Sequence, residues 1–144
     1  MVEVSLHVSA SPERVFAVLA DGWSYAGWVV GAAHIRSVDA GWPAVGTRVH
    51  HSVGAWPLQV QDETVVLEVD PPRVLELEAG LWPLGAARVR FELTEVDGGT
   101  RISMEEQAKG GPAVLVPEVA QALFLVPRNR ETLRRLADLV LRKD

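Results

Sequence analysis

The chain has 144 residues, no cysteine, and a net charge of −5 from 14 Lys and Arg against 19 Asp and Glu. A chain of this length suits one domain, residues 1–144, burying roughly 70% of the surface its unfolded form exposes. The absence of cysteine excludes thiolate nucleophiles, disulfides and Cys-based zinc or iron–sulfur sites, and the acidic balance argues against nucleic acid, which needs clustered Lys and Arg.

Residues 2–9 alternate, with Val2, Val4, Leu6 and Val8 on one face, and read as a half-buried strand. Ser11-Pro12 then supplies an N-cap and a proline tolerated at the first helical position. Val15, Val18 and Leu19 give this helix its buried stripe, with Phe16 beside it, and Gly22 ends it. Trp23 to Trp28 predict a second short helix or a turn.

Strands follow one another through the middle of the chain. Residues 32–38 and 46–54 are the first two, the latter with Val49, His51 and Val53 on one face. The apolar phase changes within 58–69: Leu58 and Val60 are even-numbered, Val65, Leu67 and Val69 odd-numbered. That change predicts a bulge or sharp bend near Asp62–Thr64. Pro71-Pro72 marks a turn. Residues 73–81 carry Leu75, Leu77, Ala79 and Leu81 on one face, and residues 86–96 carry Ala87, Val89, Phe91 and Leu93 inward. Asp97-Gly98-Gly99 is a hairpin turn into a last strand at 100–108.

From about Pro117 to Leu141 the period becomes helical. Leu133, Leu136, Ala137 and Val140 form the apolar stripe. Arg128, Arg130, Arg134, Arg135, Arg142 and Lys143 interleave with Glu131 and Asp138 and read as a solvated face. Pro127 lacks an amide proton, so it is expected to kink or divide this helix. The apolar run within 111–126 reads either as a lid over a pocket or as an interface pairing two copies of the chain.

One helix covers six or seven strands only if the sheet curls around it, and such a sheet seldom fills its own concavity. The fold class is therefore α+β, with an apolar cavity under the C-terminal helix. Its expected walls are Leu75, Leu77, Val89, Phe91, Met104 and Leu133. Five tryptophans against one tyrosine and three phenylalanines stand out, and Trp28, Trp56 and Trp82 are candidates for an aromatic rim. Ordinary core and loop packing is the simpler reading for any one of them.

Two titratable groups share the phase of inward residues. His51 follows Val49 and Val53; Glu106 follows Ile102 and Met104. An inward histidine is a polar anchor or proton shuttle, and a buried carboxylate with a raised pKa is an acid or base. Both also fit structural roles, as a satisfied histidine and a strand-end carboxylate. Adjacent strand residues point to opposite faces, so His50 and His51 cannot chelate one ion together. His7 and His34 lie on polar faces. No metal site, phosphate loop, nucleophile elbow or dinucleotide fingerprint occurs, and no cofactor is implied. No window approaches a membrane span, and Met1-Val2-Glu3-Val4 alternates where a secretory leader would be basic and then apolar. A cytoplasmic protein is the expectation.

Several segments in this order are similar to the SRPBCC superfamily of polyketide cyclase/dehydrase-like, START-type and birch-pollen-allergen-like proteins. They are Ser11-Pro12-Glu13-Arg14-Val15-Phe16, Trp28, Gly46-Thr47, Asp70-Pro71-Pro72-Arg73, Asp97-Gly98-Gly99-Thr100-Arg101-Ile102 and the run Arg128 to Leu136. The resemblance implies a helix-grip fold, with two short helices after the first strand, and an internal hydrophobic cavity. It does not imply one activity. Three functions stay open. The first is a carrier or sensor of a small lipid- or polyketide-like molecule. The second is a cyclase or dehydrase-like enzyme using His51 and Glu106. The third is a regulatory or interaction module, including a homodimer, using segment 111–126.

Overall fold

The computed structural model describes residues 1–30, 32–53, 60–80 and 85–142. Seven strands form one antiparallel sheet: β1 (Val2–Val8), β2 (Ala32–Val38), β3 (Arg48–Val53), β4 (Val60–Asp70), β5 (Val74–Gly80), β6 (Ala86–Val96) and β7 (Gly99–Lys109). Their spatial order is β1-β7-β6-β5-β4-β3-β2, so all pairs but β1–β7 join neighbours in sequence. Among the described residues three α-helices, with two short 3-10 turns, complete the fold: α1 (Pro12–Leu19), α2 (Tyr25–Trp28) and α3 (Glu118–Arg142). This is the helix-grip α+β architecture, a curved sheet gripping one long helix.

Local chemistry accounts for the element ends. Ser11 caps α1 by accepting the Arg14 amide proton at 3.2 Å, with Pro12 opening the first turn. The β6–β7 hairpin turns through Asp97 (φ 50°) and Gly98 (φ 76°), the left-handed pair that a tight two-residue turn requires. Alternation holds along β6, where Ala87, Val89, Phe91 and Leu93 are buried. The outward face is charged: Arg90 meets Glu68 and Glu76 at 3.1 Å and Glu92 at 2.7 Å.

In α3 the buried residues are Leu125, Asn129, Thr132, Leu133, Leu136, Ala137 and Val140, one stripe at helical spacing. This stripe seats α3 on β1, α1 and α2. Arg14 ties α1 to the end of α3 by donating to the Val140 carbonyl at 3.0 Å. Val15 and Leu19 of α1 share one buried cluster with Ile102, Phe91 and Leu136, all fully buried or nearly so.

Three expectations need correction. Pro127 does not divide the last helix, which is continuous from Glu118 to Arg142. The amide that proline lacks would have reached back to Leu123, an exposed residue on the water side, where solvent can take its place. The β4 irregularity lies not at Asp62–Thr64 but between Val66 and Glu68, where the register against β5 shifts. Thr64 and Val66 consequently face inward, and only Val69 resumes core packing beyond the bulge. Gly22 does not end α1. It opens a short 3-10 turn, Gly22–Ser24, that leads into α2.

The apolar segment before Pro127 is exposed along Val114, Leu115, Val116, Val119, Leu123 and Phe124. Among the described residues no helix is long and apolar enough to cross a membrane.

Gly22 sets how closely α2 approaches the sheet. A methyl group at this position would lie 2.7 Å from a Val38 methyl and 3.2 Å from one of Val49. Gly22→Ala should therefore destabilise the fold by about 1–3 kcal/mol through overpacking. Urea unfolding at neutral pH measures this, and an unchanged midpoint would refute the close-approach argument.

Candidate functional site

A cavity opens between the sheet, α2 and α3. Its volume is ≈ 90 Å³. Its sheet wall is Leu77, Ala79 and Gly80 of β5, Ala87, Val89 and Phe91 of β6, and Met104 of β7. The space exists because small residues pair across the strands here: Ala79 faces Ala87, with Gly80 and Ala86 alongside. Tyr25 and Trp28 of α2, with Val29 and Val30 behind them, close one side. Arg128 and Thr132, one turn apart on α3, close another.

Aromatic contacts hold the α2 wall rigid. Tyr25 packs edge-on to Trp28 at 5.2 Å between centroids, and Trp28 edge-on to Phe91 at 5.6 Å. The Trp28 indole donates to Ser24 Oγ at 3.1 Å, so its donor is used within its own helix turn. Tyr25 also stacks on the His51 ring at 5.2 Å.

Polar groups gather at two poles. At the first, Thr64 Oγ1 sits 2.7 Å from the Tyr25 hydroxyl and 2.9 Å from His51 Nε2. All three side chains are buried. Burial pushes the Tyr25 phenol up to about 12, with the Thr64 hydrogen bond opposing it only partly, so the phenol stays protonated. Burial also holds His51 below the ordinary imidazole value, against the pull of Asp62, and keeps it neutral near pH 7. Among the described residues, His51 Nδ1 is the buried side-chain nitrogen or oxygen without a hydrogen-bond partner.

The second pole is Glu106, 2% exposed. Its carboxylate accepts from Arg128 Nη2 at 3.0 and 3.2 Å and from Asn129 Nδ2 at 3.0 Å. Phe124 lies under the same guanidinium at 5.9 Å. A buried carboxylate needs such partners to offset its lost hydration. His51 on β3 and Glu106 on β7 stand on opposite arms of the curved sheet, four strands apart in order, and both border the cavity. Among the described residues no group of three or more His, Asp or Glu side chains is placed to hold a metal ion.

Of the residues singled out from sequence, Trp28, His51, Leu77, Val89, Phe91, Met104 and Glu106 border the cavity. Leu75 and Leu133 do not; both are fully buried in the packed core. Leu75 pairs with Phe91 at the end of the sheet filled by large side chains, and Leu133 is turned one residue away from Thr132 on the helix. Trp56 and Trp82 lie outside the described residues. Trp23 is exposed, and Trp42 packs on the core while donating to the Leu19 carbonyl at 3.3 Å. Arg128 is corrected from the solvated face to the cavity wall, whereas Arg130, Arg134, Arg135 and Arg142 are exposed. Tyr25, Thr64, Asn129 and Thr132 were not anticipated. The i, i+4 spacing of Arg128 and Thr132 was the available signal for the helix wall.

The depressed pKa of His51 has a consequence for stability. The folded chain takes up this proton only below the ordinary value of about 6.5, so the unfolded chain binds more protons in that window. Stability therefore falls as pH drops from about 6.5 toward the folded-state value, by at most about 1.4 kcal/mol per pH unit for this one group. His51→Gln should flatten the difference between urea midpoints at pH 7.5 and 5.5. Equal pH slopes in both proteins would contradict the assignment.

The family model described as polyketide cyclase / dehydrase and lipid transport matches residues 1–140. Among solved structures, Ara h 8.0201 is similar at 16% identity and TM-score 0.71, covering 98% of this chain and 97% of that one. Protein NE0264 from Nitrosomonas europaea is similar at 14% identity and TM-score 0.75, covering 99% and 94%. The di-domain ARO/CYC StfQ from the steffimycin biosynthetic pathway is similar at 12% identity and TM-score 0.76, covering 98% of this chain and 50% of that one. Identities this low establish the shared fold alone. No protein with a curated description matches. Because the family match spans nearly the whole sequence, the chain belongs to the polyketide cyclase / dehydrase and lipid transport family.

Proposed function

We propose that the chain binds a small, mostly apolar molecule in the cavity between sheet and helix, as a carrier or sensor. The observation that carries this reading is the distribution of polarity around the cavity. Trp28, Leu77, Ala87, Val89, Phe91 and Met104 offer apolar surface, and polar side chains converge at two poles. That is the general composition of a ligand site: apolar walls for affinity, a few fixed polar groups for orientation. The family's description, which includes lipid transport, supports the same reading.

The test uses a substitution that fills the space. Ala87 is 2% exposed and borders the cavity. Ala87→Phe should weaken binding of 2-naphthol, followed by fluorescence titration, at least about tenfold. Native mass spectrometry of freshly purified protein should show a co-purified small molecule that the variant lacks. Unchanged affinity in a folded Ala87→Phe protein would sink the proposal.

A second reading, cyclase or dehydrase-like catalysis, draws on one further observation. The cavity holds a neutral histidine and a carboxylate on opposite walls, groups suited to positioning and proton transfer on a carbonyl compound. On this reading, replacing His51 and Glu106 together with Gln lowers turnover of a poly-β-ketone by roughly a hundredfold or more. Turnover at the parent rate would remove both residues from the chemistry.

A further inference from the structure

Among the described residues, six large apolar side chains between Val114 and Phe124 stand in water. Leu115, Val119, Leu123 and Phe124 are between 65% and 82% exposed, and Val114 and Val116 are 48% and 42% exposed. Together they present roughly 700 Å² of mostly apolar surface, more than the few hundred a monomer usually leaves in one patch.

The patch is built from the short turn Pro112–Leu115 and the first two turns of α3. On the helix, Val119 and Leu123 lie one turn apart, as do Ala120 and Phe124, so they form two adjacent apolar rows. Ala120 is exposed and small, which lets another backbone come close over it. Beside the rows runs a shallow groove lined by Gln107 and Ala108 of β7 and by Val114, Leu115, Val116 and Pro117. Gln121 donates to the Val116 carbonyl at 2.7 Å and fixes this turn against the helix.

Charge narrows what can cover such a surface. Between residues 110 and 127, Glu118 is the only charged residue. A bilayer holds an amphipathic helix through Lys and Arg beside its apolar face, and none occurs in this stretch of a chain with net charge −5. A second copy of the chain requires no such charges. It requires a surface that fits itself and about 800 Å² per partner, which the patch nearly supplies.

We propose that two copies of the chain pair through this patch, with the first turns of α3 antiparallel across a two-fold axis at Ala120. That alignment sets Leu123 and Phe124 of each copy against Leu115 and Val116 of the other, beside the groove. It also sets each Glu118 against Ala122 of the other copy, whereas a parallel pairing would bring the two carboxylates together. The pairing leaves the cavity lining in place and is independent of the ligand-binding reading.

Sedimentation velocity of the full chain between about 1 and 500 μM should show the mass rising from one chain to two. Leu123→Asp, at a side chain 77% exposed, should weaken the pairing at least about tenfold with an unchanged circular dichroism spectrum. Because the chain has no cysteine, Ala120→Cys places a single thiol at the axis, and oxidation should link two copies. Arg134→Cys, about 21 Å further along α3, should not cross-link. A chain that is monomeric throughout this range would overturn the proposal, and a monomer that pellets with phosphatidylcholine vesicles would assign the patch to a bilayer instead. A dimer untouched by Leu123→Asp would move the interface elsewhere. Cross-linking at Arg134→Cys in place of Ala120→Cys would overturn the antiparallel axis.

Discussion

One helix has to cover the concave face of seven strands, and the rest of the structure follows from that mismatch. The 25-residue α3 packs directly on β1 and on the two short helices. It does not reach the middle of the sheet with large side chains at every point. Where β5 and β6 pair through Ala79, Gly80, Ala86 and Ala87, the facing positions on α3 are Arg128 and Thr132. Small residues on one side and polar ones on the other leave the cavity. Away from the cavity Leu75, Leu93, Leu133 and Leu136 belong to the buried core cluster, and none of them borders the open space. The same sheet is thus a packed core at one end and a receptacle at the other.

The short helix α2 divides these functions. Its four residues deliver two aromatic rings, one against Phe91 and one against His51. Gly22 permits the approach, and Thr64 secures the Tyr25 hydroxyl from across the sheet. The polar poles are therefore built from distant parts of the chain: residues 25, 51 and 64 for one, residues 106, 128 and 129 for the other. Each buried polar group is anchored by neighbours that are themselves buried or half-buried, which keeps its orientation well defined.

Much of the fold was legible in the sequence because alternation and helical period are local signals. The strand 86–96, the Asp97-Gly98 turn and the α3 stripe at Leu133, Leu136, Ala137 and Val140 were all readable this way. The inward phase of His51 and Glu106 was equally readable. Thr64 was not, because the β4 bulge falls at Val66–Glu68 and depends on the register against β5, a long-range property. Arg128 escaped for a related reason. On a helical wheel it sits among solvated arginines, and only the carboxylate waiting on β7 draws it inward. Leu75 and Leu133 were assigned to the cavity by their apolar phase. Phase tells which face a residue takes, not whether its neighbours are large enough to leave a void beside it.

Among the described residues the sheet does not close on itself, and β2 ends its row without a further partner strand. Its pairing with β3 slips twice, between Ala32 and His34 and again between Ile35 and Ser37. Those slips break the even spacing of amide and carbonyl groups along the outer rim, and the exposed Arg36 adds a charge there. A rim so interrupted is a poor template for a strand from another molecule. At this border of the sheet, the irregularity of the strand works against edge-to-edge pairing.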